Sequence, residues 1–264
     1  MELLIKYLIR NFIFTLIVIL MSCKNSNSEK KNNNTIEQKG WNLYWSDEFW
    51  GKTLDSTKWN RQVEPAGRFN DEWQRYTADE KNAYIENDIL VIEAIHETNK
   101  HELNQYTSAR LNTAQKFSFT YGKISARIKL PYGKGLWPAF WMLGSNIDEN
   151  GGDTPWPLSG EIDILELWGT HSNSIVESNM HYANTKGKHT QLGAKSYKLP
   201  KGDFSDDFHI FDLEWNEKEI IWSVDGNKYA TQNITGKLFK PFHKDFFLLL
   251  NIAVGGEYAG RPDN

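Results

Sequence analysis

Residues 220–231 read IIWSVDGNKYAT, two apolar-rich runs separated by Asp225-Gly226. That dipeptide between strand-like halves is a strong two-residue hairpin signal. The same grammar recurs outward from it. Residues 121–130, YGKISARIKL, alternate Ile124, Ala126, Ile128 and Leu130 against Lys123, Ser125, Arg127 and Lys129, the period-two pattern of a half-buried strand. Residues 83–95, AYIENDILVIEAI, place Asn87-Asp88 between two further strand-like halves. Residues 246–254, FFLLLNIAV, lack alternation and read as a strand buried on both faces. No convincing helix-period segment and no internal repeat interrupts the series. Regular short strands with such turns predict an all-β sandwich or barrel.

Residues 160–169, GEIDILELWG, join the fold to chemistry. Glu161 and Asp163 are two apart and share a face on a strand. Glu166 is five from Glu161, and one extra residue in a β-bulge returns it to that face. The outer acids then lie about four strand steps apart, roughly 13 Å between Cα atoms. Two glutamates leaning together bring the carboxyl separation of about 5–5.5 Å used by a retaining glycosidase within reach. Taken alone, the triplet reads more readily as the solvated face of a half-buried strand. The preceding segment, 144–159, is rich in Gly, Pro, Asp and Asn and reads as a loop of the kind that carries binding residues.

The first residues read as a targeting signal. Lys6 and Arg10 precede an apolar stretch from Phe12 to Met21, too short to span a bilayer but suited to a signal-peptide core. Leu20-Met21-Ser22-Cys23 resembles a bacterial lipobox, which predicts a signal peptide over 1–22 and lipidation of Cys23. An ordinary signal peptide or membrane anchor is the alternative. Cys23 is the sole cysteine, which excludes a disulfide framework and a catalytic thiol in the exported domain. Residues 23–38 are polar and Asn-rich and predict a flexible tether, leaving 39–264 as one domain. The expected location is that of an exported lipoprotein, anchored in a membrane and facing the periplasm or the cell surface. The whole chain carries a net charge of −4, and its first 38 residues carry +2. The domain is therefore acidic and has no dense basic stripe, which disfavours nucleic acid as a partner. Nothing signals oligomerisation, so a monomer is expected. The chain holds 11 Trp, a surplus that suits both core filling and stacking against sugar rings.

WNLYWSDEFWGKTLDSTKWN, NDEWQRYT, YTSARLNT, GKGLWPAFWMLG, GEIDILELWG, SNMHYAN, FHIFDLEW, IIWSVDG and LLLNIAVGG follow one another from about residue 41 to 263. In that order they resemble glycoside hydrolase family 16, and within it the bacterial laminarinase-type endo-β-1,3-glucanases. The resemblance implies a jelly-roll β-sandwich of two curved antiparallel sheets with a concave glycan cleft, and hydrolysis of a polysaccharide with retention and no cofactor. It implies Glu161 as nucleophile, Glu166 as general acid/base and Asp163 as the acid between them. Trp137 and Trp141 match aromatic residues near the cleavage point, Arg110 a glycan-binding arginine and His181 a histidine near the acid/base and the leaving sugar. Asn70 aligns with the start of the family's N-N-E-L-Q-Y-Y-T pattern, and Trp156 is expected to cap the cleft. Glu48 matches the opening segment beside a structural calcium of the family.

Departures from the pattern concern specificity. Asp71, Trp73 and Arg75 stand in the N-N-E-L-Q-Y-Y segment, and Tyr258 stands where laminarinases often carry Trp. Family members continue past the position of Asn264 with a V-D-Y-V-R-V-Y strand, and its absence predicts an unpaired sheet position. The leading expectation is a β-1,3-glucanase acting on laminarin-like chains. The alternatives are a family relative acting on mixed-linkage β-glucan or an agar-type galactan, and a non-catalytic glycan-binding protein.

Overall fold

The computed structural model describes residues 40–97 and 105–262. The signal-peptide, tether and Cys23 expectations lie outside the described residues. Among the described residues, seventeen strands follow in chain order. The first nine are β1 (Asn60–Gln62), β2 (Gln74–Tyr76), β3 (Ala83–Glu86), β4 (Ile89–Ile92), β5 (Ile95–His96), β6 (Tyr106–Ser108), β7 (Arg110–Asn112), β8 (Gly122–Ile128) and β9 (Leu136–Gly144). The remainder are β10 (Glu161–Glu166), β11 (Ile175–Ala183), β12 (His189–Gln191), β13 (Lys195–Lys198), β14 (His209–Trp215), β15 (Glu219–Val224), β16 (Asn227–Asn233) and β17 (Phe246–Val254). Helix among the described residues is limited to three short 3₁₀ segments and one four-residue turn, Gly256–Ala259.

An eight-stranded antiparallel sheet runs β1-β7-β17-β9-β10-β11-β12, with β13 also paired to β11. A four-stranded sheet, β16-β15-β14-β8, covers one of its faces. Both predicted hairpins form. Asn87 and Asp88 have φ of 52° and 59°, and Asp225 and Gly226 have φ of 50° and 75°. Each pair therefore supplies the two left-handed residues that let a turn follow the twist of its strands.

The main core lies between these two sheets. Phe140, Met142, Ile162, Ile164, Leu165, Phe246 and Leu248 of the large sheet meet Phe211, Leu213, Trp215, Ile220, Trp222 and Val224 of the small one. The strand read as buried on both faces is so, for two different reasons. Phe246 and Leu248 enter the main core, while Phe247 and Leu249 point the other way and are covered by Ile147 and Leu143. Ile147 comes from the 144–159 loop, which is irregular apart from the 3₁₀ turn Asp148–Asn150.

Candidate active site

Register across the large sheet builds the site. Cross-strand partners point to one face of a sheet, so the pairings can be read as rows. One row runs Gln62, Arg110, Asn251, Ala139, Glu166, Glu177. The next runs Asn60, Asn112, Leu249, Trp141, Asp163, Asn179, and the third Phe247, Leu143, Glu161, His181, Gln191. All three rows lie on the face turned away from the small sheet. The acids come into line through the bulge that the sequence required. Leu165 pairs with Phe140 and Glu166 with Ala139, whereas Asp163 pairs with Trp141. Ile164 and Leu165 are thus accommodated against Phe140 alone and both are buried in the core. The Asp163 carbonyl in this irregular stretch accepts from Trp222 Nε1 at 2.9 Å, a bond that crosses the sandwich.

Two walls flank this floor. The 144–159 loop stands on the Glu161 side, where Trp156 Nε1 donates to Glu161 Oε2 at 2.9 Å. On the other side, residues 65–73 are tied to the turn after β17 by Trp73 N–H to Val254 O and Glu257 N–H to Asn70 O. Gly255 has φ +70°, and a Cβ there would meet the Trp73 ring at 2.7 Å. Only glycine fits this close approach. Tyr258, half exposed, packs edge-on against Trp137 and Trp168, which stack at 4.3 Å. Trp137 Nε1 donates to Glu166 Oε1 at 2.9 Å.

The electrostatics follow from burial. Desolvation, and then the Asp163 charge, push Glu161 up to about 8. Desolvation pushes Asp163 up to about 8. Glu166 is raised well above the carboxylate range by desolvation and by both neighbouring acids. Three carboxyls on one dry face cannot all be charged at neutral pH. Glu161 has the best support as an anion, from His181, the Trp156 N–H and Arg110. Glu166 is flanked by both other acids and holds its proton longest. The strand therefore orders the two glutamates, with Glu161 giving up its proton at a lower pH than Glu166.

The remaining expected residues fall as follows. Trp141 faces the cleft beside Asp163, and its Nε1 donates to Asn251 Oδ1 at 2.7 Å. His181 was expected near Glu166. Its Nε2 stands 3.1 Å from Asp163 Oδ2 and 3.7 Å from Glu161 Oε1, because strand register puts it directly opposite Glu161, and it is also close enough to Glu166 to favour that acid's ionised form. Asn70 sits at the lip and donates to Glu72 Oε1 at 3.2 Å. Arg110 is buried between the rings of Phe69 and Trp141. Two of its donors are taken, Nε by Gln62 Oε1 at 2.9 Å and an Nη by Glu149 Oε1 at 2.7 Å.

Glu48 is exposed beside a cavity of about 190 Å³ lined also by Asp47, Asp55 and Lys58. Asp47 is committed to Lys58 and to Trp59 Nε1. Calcium takes six to eight oxygens, and these side chains do not form such a cage. Among the described residues, the acid and imidazole atoms that converge to within 4.8 Å belong to Glu161, Asp163 and His181. An ion held there would sit on the carboxylates themselves.

Several site residues carried no sequence signal of their own. Buried Glu72 is raised by desolvation. It is linked through Tyr76 OH and Asn251 to Trp141, a chain spread over three distant segments. His189 bonds His181 Nδ1 at 2.9 Å. Trp168 lies within the acid-bearing run, two residues beyond Glu166, and its position there was the one available clue.

A β-sandwich with a trough of buried carboxyls, walled by tryptophans whose N–H groups reach two of those acids, is the architecture of a glycoside hydrolase. The family model for glycosyl hydrolases family 16 matches residues 69–260, and the chain belongs to that family. It is 36% identical to a beta-glucanase of Rhodothermus marinus over 97% of this chain and 89% of the relative. It is 38% identical to a glucan endo-1,3-beta-glucosidase of Cryptopygus antarcticus, over 83% of each. Among solved structures, it is similar to the catalytic domain of an endo-1,3-beta-glucanase (laminarinase) from Thermotoga petrophila. That likeness has a TM-score of 0.72 and 44% identity over 85% of this chain and 91% of that one.

Proposed function

We propose that this chain is a retaining endo-β-1,3-glucanase in which Glu161 is the nucleophile and Glu166 the acid/base. The observation that carries the assignment is the bulge in β10, which turns both glutamates and Asp163 to one buried face. Glu161 attacks the anomeric carbon as the glycosidic C–O bond breaks, and Glu166 gives its proton to the departing oxygen. Water then attacks the glycosyl ester, its proton passes to Glu166, and Glu161 is released as a carboxylate. Asp163 and His181 hold Glu161 in place and share its charge. Trp137, Trp141, Trp156 and Tyr258 offer rings to the sugar, with Arg110 and Asn70 on the same floor and lip. The linkage and the glucose preference rest on the named activities of the relatives. The presence of all three acids argues against a binding-only role.

Export as a lipoprotein anchored through Cys23, with a monomeric domain working outside the membrane, rests on the sequence of residues 1–38 and is part of the same reading. The test is reducing-sugar release from laminarin, lichenan, agarose and carrageenan by the protein lacking residues 1–23, with Glu161→Gln as control. Release from laminarin that vanishes in the variant is the expected result. Release only from another glycan would move the substrate, and no release by folded protein would sink the enzyme.

A further inference from the structure

Beyond β11 the large sheet continues into the short strand β12, and one β12 side chain touches two of the groups that surround Glu161. The turn between the two strands fixes which one. Asn184 Oδ1 accepts from the Lys186 and Lys188 N–H groups at 2.9 and 3.2 Å, and Gly187 takes φ 72°. The resulting register pairs His181 with Gln191 and Ala183 with His189. His189 and His181 therefore share the cleft face as diagonal neighbours, a spacing that aromatic side chains bridge. Their rings stack at 5.2 Å, with His181 Nδ1 2.9 Å from His189 Nε2. Gln191, directly opposite His181, accepts from Asn179 Nδ2 at 3.1 Å instead.

His189 also meets the loop wall. Its ring lies 4.6 Å from that of Trp156, whereas the ring of His181 lies 6.2 Å from it. Trp156 Nε1 donates to Glu161 Oε2 at 2.9 Å, and His181 Nε2 stands 3.7 Å from Glu161 Oε1. Trp156, His189 and His181 thus form an arc whose two ends reach the two oxygens of Glu161, with His189 at its middle. A neutral imidazole suits that place. Partial burial, and then the charge of His181, disfavour protonation of His189. Neutral imidazole presents Nε2 as donor or as acceptor according to its tautomer. The bond to His181 Nδ1 therefore persists in either charge state of His181.

We propose that His189 is a positioning residue for the hydrolysis, steadying Trp156 and His181 so that both oxygens of Glu161 stay aligned for attack. The proposal rests on Glu161 being the nucleophile, as read above. The groups that face Glu161 are Asp163 and Glu166 on its own strand, His181 on β11, Trp156 on the loop and Arg110 on β7. The two acids oppose its charge and the other three favour it. Loosening Trp156 and His181 removes support from the anion and leaves the opposing acids in place.

The experiment measures kcat, KM and the pH dependence of kcat/KM on laminarin for wild type, His189→Ala and His189→Gln, with Glu161→Gln in parallel. His189→Ala should lower kcat about fivefold to tenfold, the worth of one hydrogen bond, and leave KM within about twofold. Its acid limb should move to higher pH by about half a unit, because a less supported Glu161 holds its proton longer. The amide of His189→Gln can still donate to or accept from His181 Nδ1, so this variant should keep the wild-type acid limb and most of kcat. An unchanged rate and profile in folded His189→Ala would overturn the proposal. So would a raised KM with kcat unchanged, the mark of a residue that touches the sugar, and so would equal losses in the two His189 variants. A purely structural role would lower the melting temperature of His189→Ala and leave the acid limb where it was, which also overturns the proposal. Activity surviving in Glu161→Gln would place the fault in the nucleophile assignment instead. If wild type ignores laminarin but cleaves another glycan, the β-1,3 reading fails separately, and the same comparison on that glycan decides for or against His189.

Discussion

Replacing Glu161 with Gln should abolish hydrolysis and stabilise the protein. Glu161 has an ordinary value of 4.5 and is pushed up to about 8, first by desolvation and then by Asp163. Below pH 4.5 the folded and unfolded chains both keep this proton, and the group contributes nothing. As pH rises past 4.5 the unfolded chain releases the proton while the folded one retains it, so stability falls with pH until the folded value near 8 is passed. At about 1.4 kcal/mol per pH unit, the penalty at pH 7 is about 3 kcal/mol. A Gln removes the charge at every pH, and its side-chain carbonyl still accepts from Trp156 Nε1. The variant should thus gain about 3 kcal/mol at pH 7 in urea unfolding, or about 6–12 °C in melting temperature for a domain of this size. At pH 4 it should gain almost nothing. Equal stability at pH 7, or a gain that persists undiminished at pH 4, would refute the claim that a buried, charge-crowded carboxyl sets this cost.

Further outcomes follow from the same geometry. Trp222→Phe removes the N–H that reaches the Asp163 carbonyl and leaves a void where the buried indole was larger than phenyl, and should cost at least about 1–3 kcal/mol in urea unfolding. Trp137→Phe removes the N–H that favours ionised Glu166, so the alkaline limb of the pH–rate profile should move to higher pH. The acid limb of kcat/KM reports the deprotonation of Glu161 and should lie above 4.5, the direction of its shift. Gly255→Ala places a Cβ against the Trp73 ring at a left-handed position, and should lower stability by more than about 1 kcal/mol, measured by thermal unfolding.

Much of the fold was legible because its signals are local. Asp225-Gly226 and Asn87-Asp88 take left-handed conformations that few other residue pairs tolerate, so the two hairpins were written in four residues. The alternation in 121–130 returned as Ile124 buried and Ser125 and Arg127 exposed. The acid run was legible too, because odd spacing on a strand leaves a bulge as the local way to align Glu166 with Glu161. The partners of those acids were not. Trp156 reaches Glu161 from the loop wall and Trp137 reaches Glu166 from β9, and nothing in their own neighbourhoods states it. His181 was expected near Glu166, which it does influence, but its seat directly opposite Glu161 is a matter of register. Arg110 was read as a sugar ligand, and no rule of spacing connects it to Glu149, 39 residues away.

The sequence alone determined an all-β sandwich or barrel, the strand that carries the acids and the chemistry those acids could perform, since hairpin turns and strand periodicity depend on the nearest few residues. Tertiary structure decided which acid keeps its proton, which indole steadies which carboxylate and that Arg110 pairs with Glu149. Desolvation, charge crowding and cross-wall contacts arise only when segments far apart in the chain close around one space.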